Sequence, residues 1–285
     1  MGKGILFFAL LAFPLMAFSG NPSAYQLFDE QGNERTFGDL IEEALEADVV
    51  FFGEIHNHPI SHWLRDELVD TLHSKAPDDL TIGLEMFERD DQITLEEFQK
   101  GWITEDRFEE EVKLWPNYET DYKSLMDFAL EKGIPLEATN VPRRYAQMVS
   151  HHGKDFLDTL SEEATQFMTP LPYETDTTLQ SYQQMLNMGH GGMDFVNAQA
   201  LKDATMAHFI AQSLAEGGEP YFHLNGAFHT IHNEGIVHYL TEKKEDLEVV
   251  TINSVDQEEP EVLKEENKGQ GDFILSIPQN MTRTH

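Results

Sequence analysis

Val49-Val50-Phe51-Phe52-Gly53-Glu54-Ile55-His56 is an apolar run that ends in a glycine, a carboxylate and an imidazole. An unbroken β-branched and aromatic run of this length reads as a strand buried on both faces, as in a parallel sheet covered by helices. The same form returns as Gly226-Ala227-Phe228-His229, after Tyr221-Phe222-His223-Leu224-Asn225. In open α/β sheets, ligands bind outside the carboxyl ends of the strands. A single Gly-x-x-His is weak evidence, because glycine ends many strands. Two of them in separate halves of the chain point to one site assembled from both halves.

Working outward from residue 49, strands and helices alternate. Residues 59–74 read as a helix, with Ile60, Trp63, Leu64, Leu68 and Leu72 near a 3.6-residue period. Strand patterns follow at residues 80–87 and 134–139, separated by an acidic, aromatic helical stretch over 91–115 and a helix over 122–132 that Gly133 stops. Pro142 opens the next helix. Across residues 161–192 the rhythm gives way to proline, glutamine and methionine, which reads as a helical insertion or lid. A long helix over 194–216 and strands at 221–225, 247–253 and 273–277 complete the pattern, with 256–268 as a solvated acidic loop. Upstream lie a polar, turn-rich stretch over 26–38 and a helix over 40–47. The expected fold is α/β: a mainly parallel central sheet covered by helices, with a helical insertion before the last strands.

Residues 20–285 are expected to form one domain with that insertion. Residues 1–19 read as a secretory signal peptide: Lys3, the apolar run Ile5 to Phe18, then Ala17-Phe18-Ser19 as a cleavage site. That run is shorter than the about 20 residues a membrane-spanning helix needs. An exported location, periplasmic or outer-membrane-associated, follows as an expectation. The chain contains no cysteine, so it has no disulfide, no thiolate metal site and no lipidation cysteine. With 52 acidic against 19 basic residues and a net charge of −33, nucleic acid is not an expected partner.

The strand ends deliver the chemistry. The first gives Glu54 and His56, the second Glu85, the third Asn140 with Arg143 and Arg144, the fourth Asn225, His229 and His232. Together they form a polar constellation suited to a divalent metal (through Glu54, His56, Glu85 and His229), to an anion, or to acid–base catalysis. Each member also has a structural reading: a carboxylate capping the next helix, a turn histidine, an arginine in a salt bridge. On the long helix, Gln199 and Asp203 share a side, where a buried Asp needs a partner and suits the orientation of a site histidine. Within the insertion, Tyr173, Tyr182, Met185, Met188 and His190 are side chains of the kinds that pack against or ligate a flat iron cofactor.

Six segments recur together in one family: Gly53-Glu54-Ile55-His56-Asn57-His58-Pro59-Ile60, Gly83-Leu84-Glu85-Met86-Phe87, Thr139-Asn140-Val141-Pro142-Arg143-Arg144, Gly189-His190-Gly191, Ala198-Gln199-Ala200-Leu201-Lys202-Asp203 and Asn225-Gly226-Ala227-Phe228-His229. On these the chain resembles the ChaN-like family of iron-regulated, haem-binding bacterial lipoproteins, within the Tiki, TraB and erythromycin-esterase superfamily. The resemblance implies a role in haem uptake, with haem held between two monomers of a homodimer and passed on by outer-membrane haem or iron transport components. It also implies a tyrosine on the iron, with basic or histidine side chains at the propionates. Tyr182 is the first choice for that tyrosine, with Tyr145 and Tyr173 as alternatives; Arg143 and His190 are the flanking candidates. The superfamily supplies the rival expectation, a metal-dependent hydrolase in which Glu54, His56, Glu85, Asn140 and His229 are catalytic.

Overall fold

The computed structural model describes residues 23–76, 80–188, 192–244 and 246–285, so the expected signal peptide and His190 lie outside the described residues. The chain runs β1 (Gln26–Asp29), β2 (Glu34–Arg35), α1 (Phe37–Ala44), β3 (Val49–Glu54), α2 (Pro59–Lys75), β4 (Thr81–Glu88), α3 (Gln92–Gln99), α4 (Glu105–Glu111), α5 (Lys123–Lys132) and β5 (Leu136–Asn140). It continues through α6 (Arg143–His152), α7 (Glu162–Thr165), α8 (Gln180–Asn187), α9 (Gly192–Ala215), β6 (Tyr221–Gly226), α10 (Ile236–Thr241), β7 (Val249–Gln257) and β8 (Phe273–Pro278).

Among the described residues, eight strands form one sheet in the order β2-β1-β8-β7-β3-β6-β4-β5. The run from β8 to β5 is parallel throughout. Only β1, against β8 and β2, is antiparallel. All six residues of β3 are buried, as its unbroken apolar run requires of a central strand. Its side chains alternate between two cores. Val50 and Phe52 join the face that packs α2, α3 and α5, whereas Val49 and Phe51 join the face that packs α6, α9 and α10. The alternation decides later which side of the sheet each site residue reaches.

Local signals set the helix ends. Thr36 and Asp39 make a reciprocal capping box on α1, and His58 caps α2 ahead of Pro59. Gly133 ends α5 with φ of 72°, a left-handed conformation that glycine adopts freely.

The α/β fold and the mainly parallel sheet stand as expected, with strand limits shifted by one or two residues except in β7, which runs four residues further, to the buried Gln257, into the stretch expected as a solvated loop. Two other readings change. The stretch over 26–38 is not only turn but holds the β1–β2 hairpin. The acidic stretch over 91–115 holds two short helices, α3 and α4, broken at Gly101, where φ is 66°.

Candidate functional site at the strand ends

Strands β3 and β6 lie side by side in parallel, with Gly53 opposite Asn225 and Glu54 opposite Gly226. The two Gly-x-x-His segments therefore meet, and they interlock. A Cβ on Gly226 would come within 2.7 Å of both Cε1 and Nε2 of His56, so the histidine of the first segment lies on the glycine of the second.

On the α2 side, Glu54 is 3% exposed, with hydrogen bonds at Oε1 and, among the described residues, none at Oε2. Its Oε1 accepts the Tyr122 hydroxyl at 2.6 Å and stands 3.0 Å from His56 Nδ1, and its Oε2 lies 3.2 Å from His62 Nδ1 and 3.7 Å from Arg65 Nη1. His62 Nε2 and Asn117 Nδ2 both donate to the His56 carbonyl, at 3.0 and 2.7 Å, which pins the turn. Burial alone would raise the Glu54 pKa; the hydrogen bond of His56, the close approach of His62 and the charges of His62 and Arg65 outweigh it and hold the carboxyl down to about 2.

On the α9 side, Glu85 Oε2 accepts the Gly226 N–H at 2.6 Å and Oε1 lies 3.1 Å from His229 Nε2. His229 Nδ1 makes a short contact with Asp203 Oδ1, and Asp203 Oδ2 accepts the Tyr182 hydroxyl at 2.7 Å. Burial would lower the His229 pKa, but carboxylates at both ring nitrogens push it up to about 10, so the ring is an imidazolium at neutral pH. Glu85 is held well below the usual carboxylate range: burial opposes this, and the His229 charge overrides it. The Gln199 amide lies 2.9 Å from His229 Nδ1 and 3.4 Å from Asp203 Oδ1. Because Nδ1 carries its proton toward Asp203, the amide donates to the carboxylate.

His56 joins the two halves. Its side chain is 45% exposed and its ring stands edge-on to Trp115 at 4.8 Å. Burial lowers its pKa, but the Glu54 hydrogen bond and the Glu85 charge raise it further than that, to a net value above the ordinary one.

Glu54, His56, Glu85, Asn225, His229, Gln199 and Asp203 are thus brought to one place. Asn140 adjoins them, donating to the Glu85 carbonyl at 3.1 Å. The four-ligand metal reading gains no support: among the described residues, no group of three or more His, Asp or Glu is disposed to hold a metal ion. Glu54 and Glu85 leave the sheet on opposite faces, and both nitrogens of His229 already face carboxylates.

The tyrosines stand apart from the open surface. Tyr182 is 1% exposed with its hydroxyl on Asp203, and Tyr173 is buried with its hydroxyl on the Asn197 carbonyl. Tyr145 is buried too, but its hydroxyl accepts from the half-exposed Arg144 at 3.3 Å. His62, Arg65, Asn117, Tyr122 and Asp121, whose carboxylate accepts from Asn117 Nδ2 at 2.6 Å, belong to the site and are not marked out by the sequence. Their one legible signal is the spacing of His58, His62 and Arg65 on a single face of α2, where the apolar pattern predicts only core.

A cavity of about 170 Å³ lies beside this site, between α6 and α9. Arg143, Ala146, Phe195, Ala198, Gln199 and Lys202 are among its lining residues. Phe195 is 47% exposed, and Gln199 belongs to both the cavity wall and the buried network.

A family profile described as "Haem-binding uptake, Tiki superfamily, ChaN" matches residues 40–240. No curated protein matches. Among solved structures the chain is similar to ChaN of Campylobacter jejuni, in a structure titled for cofacial haem binding. That match has 18% identity and a TM-score of 0.67, and covers 88% of this chain and 96% of that one. A Bacillus cereus protein is more distant, at 12% identity, with 76% and 68% of the chains covered and a TM-score of 0.47. An erythromycin esterase, EreC, in its open conformation is similarly distant, at 13% identity, with 82% and 77% covered and a TM-score of 0.48.

Proposed function

This chain belongs to the ChaN haem-binding uptake family of the Tiki superfamily, and on that premise we propose that it is an exported protein that binds haem at the α6–α9 cavity for iron acquisition. The family match over residues 40–240 is the observation that carries the reading. The chemistry of the cavity supports it. Phe195 offers a free aromatic face for a porphyrin, and Arg143 and Lys202 supply cations for propionates in a chain with only 19 basic residues. At about 170 Å³ the cavity is smaller than the roughly 300–1,000 Å³ of an enclosing ligand pocket. It would cover one part of a haem and leave a face open. The cofacial arrangement named for the Campylobacter jejuni protein has the same requirement. Two shallow sites on a homodimer, with two haems between them, meet it.

None of the three candidate tyrosines is among the lining residues of the cavity; of the three, Tyr145 has the hydroxyl most easily freed, since its partner is a half-exposed arginine. Freeing Tyr182 would strip the buried Asp203 of a donor. Haem, when bound, supplies the iron that is the cargo of uptake. The protein's part is to hold the porphyrin edge and neutralise the propionates. The run from Lys3 to Phe18 supports export, and delivery to outer-membrane transport components belongs to the same proposal.

The test is a haemin titration of Arg143→Ala, Lys202→Ala and Tyr145→Phe beside the parent protein. The two cation variants are expected to weaken binding about tenfold each, the scale of one charge-assisted hydrogen bond, and Tyr145→Phe to change the visible spectrum. Parent-like affinity and spectrum in all three would rule out this cavity.

A further inference from the structure

Strand β5 ends the sheet, with β4 on one side and no strand among the described residues on the other. An end strand presents a row of backbone N–H and C=O groups that can template a further strand. In β5 that row is covered by side chains. The Gln99 amide donates to the Ile134 carbonyl at 3.0 Å and accepts the Leu136 N–H at 3.2 Å. The Gln92 amide donates to the Leu136 carbonyl at 3.4 Å and accepts the Ala138 N–H at 2.7 Å. Arg89 Nη1 completes the row, donating to the Ala138 carbonyl at 3.1 Å and to Gln92 Oε1 at 3.2 Å. In a parallel ladder, one residue of the neighbouring strand donates to the carbonyl of residue i and accepts from the N–H of residue i+2. Each glutamine reproduces that pair of bonds with its side-chain amide. Two side chains of α3 therefore stand where two peptide units of a ninth strand would lie.

We propose that α3 is a displaceable cover on a strand-accepting edge, and that the strand taken by the open edge is β5 of a second copy of this chain, antiparallel across a two-fold axis. Self-pairing fits the residues. Leu136 and Ala138 turn their backbone groups outward, so a pairing centred on Ala138 sets Ala138 opposite Ala138, exchanging both bonds. Glu137 then faces Thr139 of the second copy, and no carboxylate meets a carboxylate. Glu137 is already satisfied by Ser213 and Tyr221, and Thr139 by His223, so neither side chain is stranded. The opposite end of the sheet does not compete: β2 is two residues long, too short to pair along β5 and propagate a filament. The closed dimer is what remains. The cover is fixed at its middle and loose at its ends. Leu95 is fully buried and Phe98 stacks on Phe108 at 4.5 Å. Asp91, before the first turn of α3, makes no side-chain capping bond, and Gly101, past its last turn, has φ of 66° with open space around it. This edge belongs to the α3 side of the core, on the opposite face of the sheet from the α6–α9 cavity.

The experiment compares the full chain with its Gln92→Ala/Gln99→Ala variant by sedimentation over a range of concentration, with amide hydrogen exchange in parallel. It is run without haemin, so the haem-bridged dimer proposed above does not enter it. The double variant is expected to reach twice the mass of the parent, with an association constant about tenfold or more above the parent's. The Leu136 and Ala138 amides should be protected in the associated variant and lose protection as it is diluted. Haemin affinity should match that of the parent. If the double variant does not fold, Gln99→Ala alone, which frees the Ile134 carbonyl and the Leu136 N–H, is read in the same way. A mass equal to the parent's at every concentration overturns the proposal. Association that leaves the Leu136 and Ala138 amides exchanging freely overturns it too, because the contact then lies elsewhere.

Discussion

His229 is the residue on which the buried half of the site depends. Its ring holds a proton up to about pH 10, whereas an unfolded chain releases it near 6.5. A folded-state pKa raised in this way stabilises the protein fully below about pH 6.5, and the contribution disappears as the pH climbs toward 10. Glu54 acts in the opposite sense. Its pKa is lowered from 4.5 to about 2, so its contribution is present above about pH 4.5 and is lost as the pH falls toward 2. Stability should therefore peak between about pH 5 and 7. Asp203→Asn removes one carboxylate from a buried pair and is expected to cost about 3–5 kcal/mol near pH 6. It should also flatten the decline between pH 7 and 10, as read from denaturant midpoints. A variant whose alkaline decline matches the parent's would show that the Asp203–His229 pair is not its source. At this scale the sequence was partly legible. The i, i+4 spacing of Gln199 and Asp203 put both on one side of a helix, and a buried carboxylate there needed a partner. The partner of Tyr182 was not legible, because the hydroxyl and Asp203 meet only through the packing of α8 on α9.

Helix α9 is the element that ties the α6–α9 cavity to the strand ends. It carries Phe195, Ala198 and Lys202 into the cavity wall and Asp203 into the buried network, and it packs against both α6 and α10. Leu201 is fully buried on the same helix, within the core shared with Val49 and Phe51 of β3. Leu201→Ala is expected to destabilise by about 2–5 kcal/mol, lost burial plus the cavity left behind. Guanidinium unfolding reads this as a lower midpoint at unchanged slope; a loss under about 1 kcal/mol would mean that α9 is not anchored there. The strands were readable because β3 and β6 are buried on both faces and so written as unbroken apolar runs. The hairpin was not, since β2 consists of Glu34 and Arg35 and its partner β1 is four residues long. Helices α3 and α4 merged in the sequence because acidic and aromatic residues continue through the break at Gly101.

For the molecule as a whole, the paired Gly-x-x-His segments indicated a parallel sheet with one composite site, and the register of Glu54 opposite Gly226 is how the chain builds it. The side of the sheet to which each residue turns could not be read from the ends of the strands alone. It follows from the pleat and separates Glu54 on the α2 face from Glu85 on the α9 face. The cavity between α6 and α9 joins residues more than 50 positions apart, Arg143 and Lys202 among them, and no local pattern announces it. The resulting picture is a family scaffold with a cavity on one flank, proposed to hold haem, and an oriented histidine at the strand ends. Its central claim is haem binding. The most direct test is a haemin titration of the protein from Gly20 onward, followed by absorbance with sedimentation in parallel. The account predicts a saturable spectrum unlike free haemin, approaching one haem per chain, with dimers forming as haem is added. A spectrum indistinguishable from free haemin at every ratio would contradict it.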